Sequence, residues 1–333
     1  MKVVCLPGDG IGGEVMAEAI RCVNALVPDA TVEEHLLGAA AIRQTGDPLP
    51  PATLAACLKA DAVLMGAVGS DAYAWGDGIN PEDGMFRLRR ELDVFANLRP
   101  SHGDGIDLLI VRVLVGGLYF GSRGVEPDGT VYDRLEYHPD QVRRVVRRGF
   151  ELAAQRGGRM TSVDKANVLT TSRMWRREVD ALAPEYPGVR VDHLLVDTAA
   201  MRLVEDPGAF DVIVTENTFG DILSDIAAAL TGGLGVAASA CVGDAGVGLF
   251  EPVHGTAPDI AGRGVANPTA MLLSTALMFR YGLGLPAAAD ALEDAVAVAR
   301  STSPTTDEGG SATTRAFGDR VVQALGAAGA ASL

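Results

Sequence analysis

Aromatic side chains are scarce in this sequence: Phe, Trp and Tyr supply only 5% of its 333 residues. A core must therefore be built from small aliphatic side chains and tight backbone turns, for which 40 glycines are available. Basic charge is also short, with 28 Lys and Arg against 43 Asp and Glu, a net of −15. That excess of acid argues against a nucleic-acid or anionic-membrane partner. Cysteine is limited to Cys5, Cys22, Cys57 and Cys241, none in a CxxC pair. A zinc knuckle or disulfide framework is not expected, and buried free thiols in a reducing compartment are. The five histidines form no HExxH or HxH pattern, which removes the zinc-hydrolase signature. No apolar run has the roughly 18 residues a membrane span needs. The opening MKVVCLPGDG reaches a Pro-Gly turn too early for a signal peptide, so a cytoplasmic location is expected.

What is present is the composition of a globular chain, 48% apolar and 21% charged, long enough for one large domain or two lobes. Short β-branched runs alternate with longer helical periods, the α/β signature. Strands are predicted at Lys2–Leu6, Asp61–Met65, Leu108–Val111, Met160–Val163, Val189–Val196 and Asp211–Thr215. Helical spacing links Val15, Met16, Ala19, Ile20, Val23 and Leu26, and again Val142, Val145, Val146, Phe150 and Ala153. Further helices are predicted near 269–282, 286–300 and 311–325, with an Ala-rich tail from Gly326 expected to fray. Pro127-Asp128-Gly129 sits between Val125 and Val131 and predicts a hairpin, either an arm for a partner subunit or a surface excursion.

Five stretches carry chemistry. LPGDGIGGE places Gly8, Gly10 and Gly13 as GxGxxG between a strand and a helix. Taken alone this proposes a Rossmann dinucleotide turn, with Glu33 or Glu34 on the ribose. Pro7 and Asp9 are odd for a loop pressed onto a pyrophosphate, and a packing turn competes equally. Arg87, Arg89, Arg90 and Arg99 cluster within FRLRRELDVFANLRP, and Arg112 ends DLLIVR. Guanidinium forks bind carboxylates bidentately, so convergence of several suits a di- or tricarboxylate. A solvated helix face competes, and for Arg90 it is preferred.

Asp197 in LLVDTAAM joins Asp221 and Asp225 in FGDILSD. The last two are spaced i, i+4 on one helical face, where like charges repel unless a cation sits between them. Oxygen-only ligands favour Mg²⁺ or Mn²⁺. Helix-dipole complementation would explain Asp221 but not Asp225. Lys165 in SVDKANVL and Tyr119 in GGLYFG are candidate proton carriers, with burial and a nearby cation expected to lower both pKa values. Finally FEPVHGTAPDIAGRGVANP is a long turn-rich segment with His254, Asp259 and Asn267, of the kind that usually serves a function.

Together these stretches resemble the isocitrate/isopropylmalate (β-decarboxylating) dehydrogenase family. The resemblance runs in order from LPGDGIGGE to DEGGSATT, and LDVFANLRP, SVDKANVL, FGDILSD and EPVHGTAPDIAG are its specific parts. It implies an α/β chain with the isopropylmalate dehydrogenase-like two-domain α/β/α fold and a mixed sheet, not a Rossmann fold. The first domain would be discontinuous, 1–94 plus 233–333, and carry the NAD-binding loops. The second, 95–232, would carry the dimer interface and an arm near 122–138. The GxGxxG match would then be a decoy.

The resemblance further implies residue roles. NAD would contact Ile11, Glu82, Asn167, Glu251, His254, Gly255, Thr256, Ala257, Asp259, Asn267 and Asp307. Asp259 would repel the 2′-phosphate of NADP. Arg89, Arg99 and Arg112 would grip the malate carboxylates, beside an apolar wall of Met85 and Phe86. Asp221 and Asp225, with Asp197 of the partner subunit, would hold Mg²⁺ or Mn²⁺. Lys165 of the partner subunit would take the hydroxyl proton and Tyr119 would protonate the enol carbon. The partners implied are a small-molecule substrate and a second copy of the chain, in a homodimer with shared sites.

The expected activity is NAD-dependent oxidative decarboxylation of a 3-substituted (2R)-malate, first 3-isopropylmalate to 4-methyl-2-oxopentanoate in leucine biosynthesis. Homoisocitrate, D-malate, tartrate or a specialised malate analogue are alternatives, and so is a silent regulatory subunit. The intact Lys165, Tyr119 and three aspartates argue against silence. Three departures bear on the substrate. RVLVGG places Val113 and Val115 where the family usually has Glu and a hydroxyl residue, and Gly13 replaces a Pro. Arg87 is offset by one residue from the arginine of homoisocitrate-type members, a turn of about 100° on a helix, and is expected to face solvent.

Overall fold

The structure, a computed structural model, describes residues 1–73, 78–103 and 105–331. The chain forms two compact units, Met1–Asp93 with Leu234–Leu333, and Val94–Gly233.

The first unit begins with β1 (Lys2–Gly8), α1 (Gly12–Leu26), β2 (Thr31–Glu34), α2 (Gly38–Thr45), α3 (Pro51–Cys57), β3 (Ala62–Ala67) and α4 (Pro81–Glu91). The second unit follows with β4 (Ala96–Gly103), β5 (Ile106–Val113), β6 (Arg123–Val125), β7 (Val131–Asp133), α5 (Pro139–Gln155), β8 (Arg159–Asp164), α6 (Thr170–Leu182), β9 (Arg190–Leu195), α7 (Val196–Glu205), β10 (Val212–Thr215) and α8 (Asn217–Leu230). The chain then returns to the first unit for β11 (Ala238–Val242), β12 (Gly248–Pro252), α9 (Thr269–Leu277), α10 (Pro286–Thr302) and α11 (Thr314–Ala331). The tail expected to fray from Gly326 instead continues α11 to Ala331, since alanine is the best helix former.

In the first unit the strand order is β2-β1-β3-β12-β11, with β11 antiparallel to β12 and the other pairs parallel. Val3, Val4, Leu6, Val63 and Leu64 are fully buried, as expected of parallel strands covered on both faces. In the second unit the order is β4-β5-β10-β8-β9, with β4 antiparallel to β5 and the rest parallel. Both sheets are therefore mixed. Leu108, Ile110, Ile213, Leu203 and Leu223 form one of the cores on the second sheet, so α7 and α8 pack there through aliphatic residues, with Phe210 the one ring in the cluster.

The hairpin predicted around Pro127 is present, with β6 and β7 antiparallel and Val125 opposite Val131. All four cysteines are buried thiols outside any disulfide, and burial pushes the Cys5, Cys22 and Cys57 thiols up to about 12. No helix of the described residues is long and apolar enough to cross a membrane.

Candidate functional site

In the second unit, β4 and β5 set two arginines on one face of the sheet. Asn97 lies opposite Arg112 and Arg99 opposite Ile110, so Asn97, Arg99 and Arg112 project the same way. α8 brings its acids to meet them. Arg112 Nη1 donates to Asp221 Oδ1, while Arg99 Nη1 lies 3.3 Å from Asp221 and 3.5 Å from Asp225. Arg99 is also held by Asn97 Oδ1 at 2.7 Å and Ser224 Oγ at 2.6 Å. Arg112 is only 4% exposed, so its charge has a real desolvation cost that these acids offset. Gly220 leaves the path of its stem open; a Cβ there would lie 2.8 Å from that of Arg112. The i, i+4 acid pair is thus on one face as expected, and the cation lying between the two in this structure is the Arg99 guanidinium.

Tyr119 donates its hydroxyl to Asp221 Oδ2 at 3.1 Å. Its pKa is raised, through burial and then the neighbouring Asp221 charge. Burial, expected to lower the value, raises it, because desolvation disfavours the phenolate, and the carboxylate it faces outweighs Arg112. The Asp225 carboxyl is likewise pushed up by burial, with Arg99 opposing and Asp221 adding to the rise.

A separate cluster joins Lys165, at the end of β8, to Asp197 in the first turn of α7. Their Nζ–Oδ1 distance is 2.6 Å, and the ammonium beside it holds Asp197 below the usual carboxylate range. Neither residue is ion-paired to Asp221 or Asp225. Asn167 is exposed in the loop that follows Lys165. Among the described residues, no group of three or more His, Cys, Asp or Glu side chains is assembled that could hold a metal within one chain.

The first unit carries the remaining candidates. The Asp9 carboxylate accepts from Ala39 N at 2.9 Å, Ala40 N at 2.8 Å and Gly69 N at 3.1 Å. The odd acid of the glycine-rich turn therefore ties that turn to the start of α2, a place where negative charge is favoured. Ile11 N donates to Thr256 O at 2.9 Å and Gly264 N to Glu14 Oε2 at 3.0 Å, anchoring the segment after β12 to the start of α1. Gly13 faces open space, so nothing packs against the missing proline there.

Within that segment Gly255 and Asp259 are exposed, and Ala257 takes a φ of 41°, a strained value for a residue with a Cβ. His254 is held by Gly255 O at 3.0 Å through Nδ1, its Nε2 is buried without a protein partner, and burial lowers its pKa. Asn267 is buried and donates to Asp307 Oδ2 at 3.0 Å, which joins two of the expected NAD contacts. Glu82 lies by Gly69, where an added Cβ would be 2.9 Å from its Oε1.

On α4, Arg89 is buried against Glu251 of β12 at 2.5 Å, and Glu251 also accepts from Cys241 Sγ at 3.2 Å. Glu251 is thus a partner of Arg89. Met85 and Phe86 are partly buried and Arg90 is exposed. Arg87 keeps 40% of its side chain exposed, and there it bonds Asp47 at 3.0 Å and 3.1 Å and also reaches the Leu49 carbonyl. The acid that captures it lies 40 residues away in sequence, beyond any helical-face argument. Asn97, Ser224, Asn217, Tyr137 and Glu216 were not singled out by sequence. Asn97, two residues before Arg99 on the same strand face, was the one that periodicity could have revealed.

Comparison with known proteins fits this geometry. Residues 2–321 match the family described as isocitrate/isopropylmalate dehydrogenase. The chain is 47% identical to a 3-isopropylmalate dehydrogenase of Deinococcus radiodurans over 98% of both chains. It is also 47% identical to that of Bacillus subtilis, over 89% of this chain and 88% of the other. Among solved structures it resembles an isocitrate dehydrogenase from Methylococcus capsulatus, with a TM-score of 0.89 at 33% identity, covering 97% and 99% of the two chains. A β-decarboxylating dehydrogenase from Thermococcus kodakarensis gives 0.84 at 36% identity, covering 98% and 96%.

Proposed function

Because the chain belongs to the isocitrate/isopropylmalate dehydrogenase family, we propose that this dehydrogenase oxidises and decarboxylates a 3-substituted (2R)-malate with NAD, 3-isopropylmalate before others, to give 4-methyl-2-oxopentanoate. The observation that carries this reading is the constellation of Arg99, Arg112, Tyr119, Asp221 and Asp225, which joins carboxylate-binding cations, a protonated phenol and a pair of oxygen ligands. Relatives at 47% identity named for 3-isopropylmalate support the substrate.

The residues fit the cofactors. Asp221 and Asp225 are oxygen-only donors one turn apart, and the raised Asp225 value reflects burial first and then the like charge of Asp221, penalties a hard cation relieves. The buried, unpaired Nε2 of His254 and the backbone turns around it suit a polar coenzyme. Mg²⁺ or Mn²⁺ would be held by Asp221, Asp225 and Asp197 of the partner subunit, and NAD by the segment that includes Thr256, Ala257 and Asp259. When bound, NAD supplies the hydride acceptor and the metal supplies Lewis-acid stabilisation of developing oxygen charge.

The chain's own groups do the rest. Arg89, Arg99 and Arg112 fix the substrate carboxylates. Lys165 of the partner subunit removes the C2 hydroxyl proton as hydride leaves C2. The C3 carboxylate then departs as CO₂, and its bonding electrons remain as an enolate. Tyr119 donates a proton to C3. Asp221 holds that phenol in place.

We place the enzyme in the cytoplasm as a homodimer with shared sites. The exposed Val125 and Val131, paired on the hairpin at 68% and 75% exposure, suit a covered apolar contact. The capture of Arg87 by Asp47 weighs against a substrate with an extra anionic arm. The test is NADH formation with Mn²⁺ across a panel of 3-substituted malates. Turnover of isopropylmalate at least about tenfold above the others is expected, near what one extra apolar contact yields. A preferred homoisocitrate would overturn the substrate, and no turnover at all would favour the silent subunit.

A further inference from the structure

Arg112 is buried at the end of β5 and has to be aimed. Its own strand offers little help: Val113, the next residue, is apolar and fully buried. The aim comes from the neighbouring strand. Thr215 is the register partner of Arg112, and the chain passes from it directly through Glu216 into Asn217, the first residue of α8. Asn217 Oδ1 accepts from Arg112 Nε at 3.0 Å and Nη2 at 2.7 Å, a two-pronged grip that leaves Nη1 for Asp221. Its amide nitrogen donates to Gly116 O at 3.3 Å, so both ends of the side chain are used.

Asn217 is held in turn. Its backbone N–H donates to Tyr137 Oη at 2.9 Å, and Tyr137 donates its proton to Glu216 Oε2 at 2.8 Å. The other oxygen of Glu216 accepts from Phe219 N at 2.6 Å and caps α8. Glu216 is 6% exposed and Asn217 1%, so water does not replace these contacts. The chain also clears space for the phenol. Gly117 has a φ of 79°, and a Cβ there would collide with Tyr137 Oη; one on Gly116 would lie 3.1 Å from the Tyr137 ring. A partly buried tyrosine on a buried acid, without a place in the reaction as derived above, calls for a role.

We propose that Tyr137 and Glu216 are positioning residues for substrate recognition, fixing the Arg112 guanidinium through Asn217. The recognition step rests on the proposed function; the positioning itself does not. Tyr137 holds the backbone of Asn217, Glu216 holds Tyr137 and the start of α8, and Asn217 sets the guanidinium plane against which a substrate carboxylate docks. The pair acts on binding of a carboxylate and not on hydride or proton movement.

The test uses the full-length protein with Tyr137→Phe and Glu216→Gln. Both retain side-chain volume, and Gln keeps an acceptor for the α8 cap. The first readout is hydrogen exchange of the Arg112 Nε–H by ¹⁵N NMR in the protein without substrate. It should quicken about tenfold in Tyr137→Phe, the loss of roughly one hydrogen bond's worth of order. The second is steady-state kinetics with 3-isopropylmalate: KM for the malate should rise about tenfold, with kcat and KM for NAD within twofold, the pattern of lost ground-state binding. A purely structural role would lower the melting temperature and leave both readouts alone. Unchanged exchange and malate KM in Tyr137→Phe overturn the inference. If the unaltered protein turns over no malate, the functional reading falls, and the exchange rate alone still decides this one.

Discussion

Tyr119 and Arg112 share one carboxylate: the phenol donates to Asp221 Oδ2 at 3.1 Å and the guanidinium donates to Oδ1. The proposed proton donor is thus fixed relative to a carboxylate-binding cation by a single side chain. Replacing Tyr119 with Phe removes the proton and little else. Decarboxylation should fall by about 10²–10⁴, the range for a positioned acid. NAD affinity, measured by fluorescence titration, should stay within twofold. Full activity in Tyr119→Phe would remove the phenol from the mechanism.

Lys165 and Asp197 form their own pair, with no ion pair to Asp221 or Asp225. If each site takes Lys165 and Asp197 of the partner subunit, two dead variants should complement. Lys165→Ala and Asp221→Asn are each expected to be inactive alone. Unfolded together and refolded as a mixture, half the dimers are mixed and each contains one intact site, so about a quarter of full activity should return. No recovery, with mixed dimers demonstrated by mass, would place each site within one chain.

The acid pair on α8 predicts a metal effect that is visible without catalysis. Asp221 and Asp225 face each other with Arg99 between them, and the Asp225 carboxyl is pushed up. Micromolar to millimolar Mn²⁺ should raise the melting temperature, because a cation that binds only the folded state stabilises it by mass action. Asp225→Asn should weaken that response at least tenfold in Mn²⁺ concentration, and chelation should abolish NADH formation in the unaltered enzyme. An identical Mn²⁺ response in Asp225→Asn would move the metal elsewhere.

Which parts of this were legible in the sequence follows from how each residue does its work. β1, β8 and β10 are β-branched runs, and α1 and α5 repeat their apolar residues at helical spacing, so local pattern sufficed. In the sequence β4 shows only an arginine motif, because Arg99, Pro100 and His102 interrupt it; its strand character comes from pairing with β5 over Ala96–Gly103. β11, reading ASACV, lacks the usual β-branched density and is held by pairing with β12. The same divide runs through the site. Arg112, Asp221 and Lys165 announce themselves by residue type in an apolar setting. Tyr137, Glu216 and Asn217 reach one another and Arg112 through contacts 79 to 105 residues apart along the chain, which no periodicity records. The direction of the Tyr119 pKa depends first on burial and then on Asp221 being its partner, both tertiary facts.

Gly10 joins two loops of the first unit. It has a φ of 56°, and a Cβ would run into the Thr256 carbonyl, the same oxygen that accepts from Ile11 N. Gly10→Ala must strain the turn or push the 256 segment away, at a cost of about 1–3 kcal/mol. Its melting temperature should fall, and KM for NAD should rise more than KM for the malate. Gly13→Ala serves as the control, since its Cβ meets open space. Equal effects of the two substitutions would show that the turn is not what anchors the coenzyme segment.

His254 predicts a pH dependence of stability whose sign can be worked out. Burial lowers its folded-state pKa below the ordinary 6.5, so the unfolded chain binds a proton first as pH falls. Protons bound preferentially by the unfolded state destabilise the fold, so the neutral-histidine contribution is complete above about pH 6.5 and is lost as pH drops through the lower folded value. Asn at this position cannot take up that proton. Between pH 7.5 and 5.5 the melting temperature of the unaltered protein should therefore fall further than that of His254→Asn, even if the variant starts lower for want of the Gly255 contact. Taking the difference between the two proteins cancels the carboxylates that titrate in both, Glu216 and Asp225 included. Parallel curves across that window would mean that His254 is charged or solvated in the folded chain, and would withdraw the buried Nε2 as a coenzyme contact.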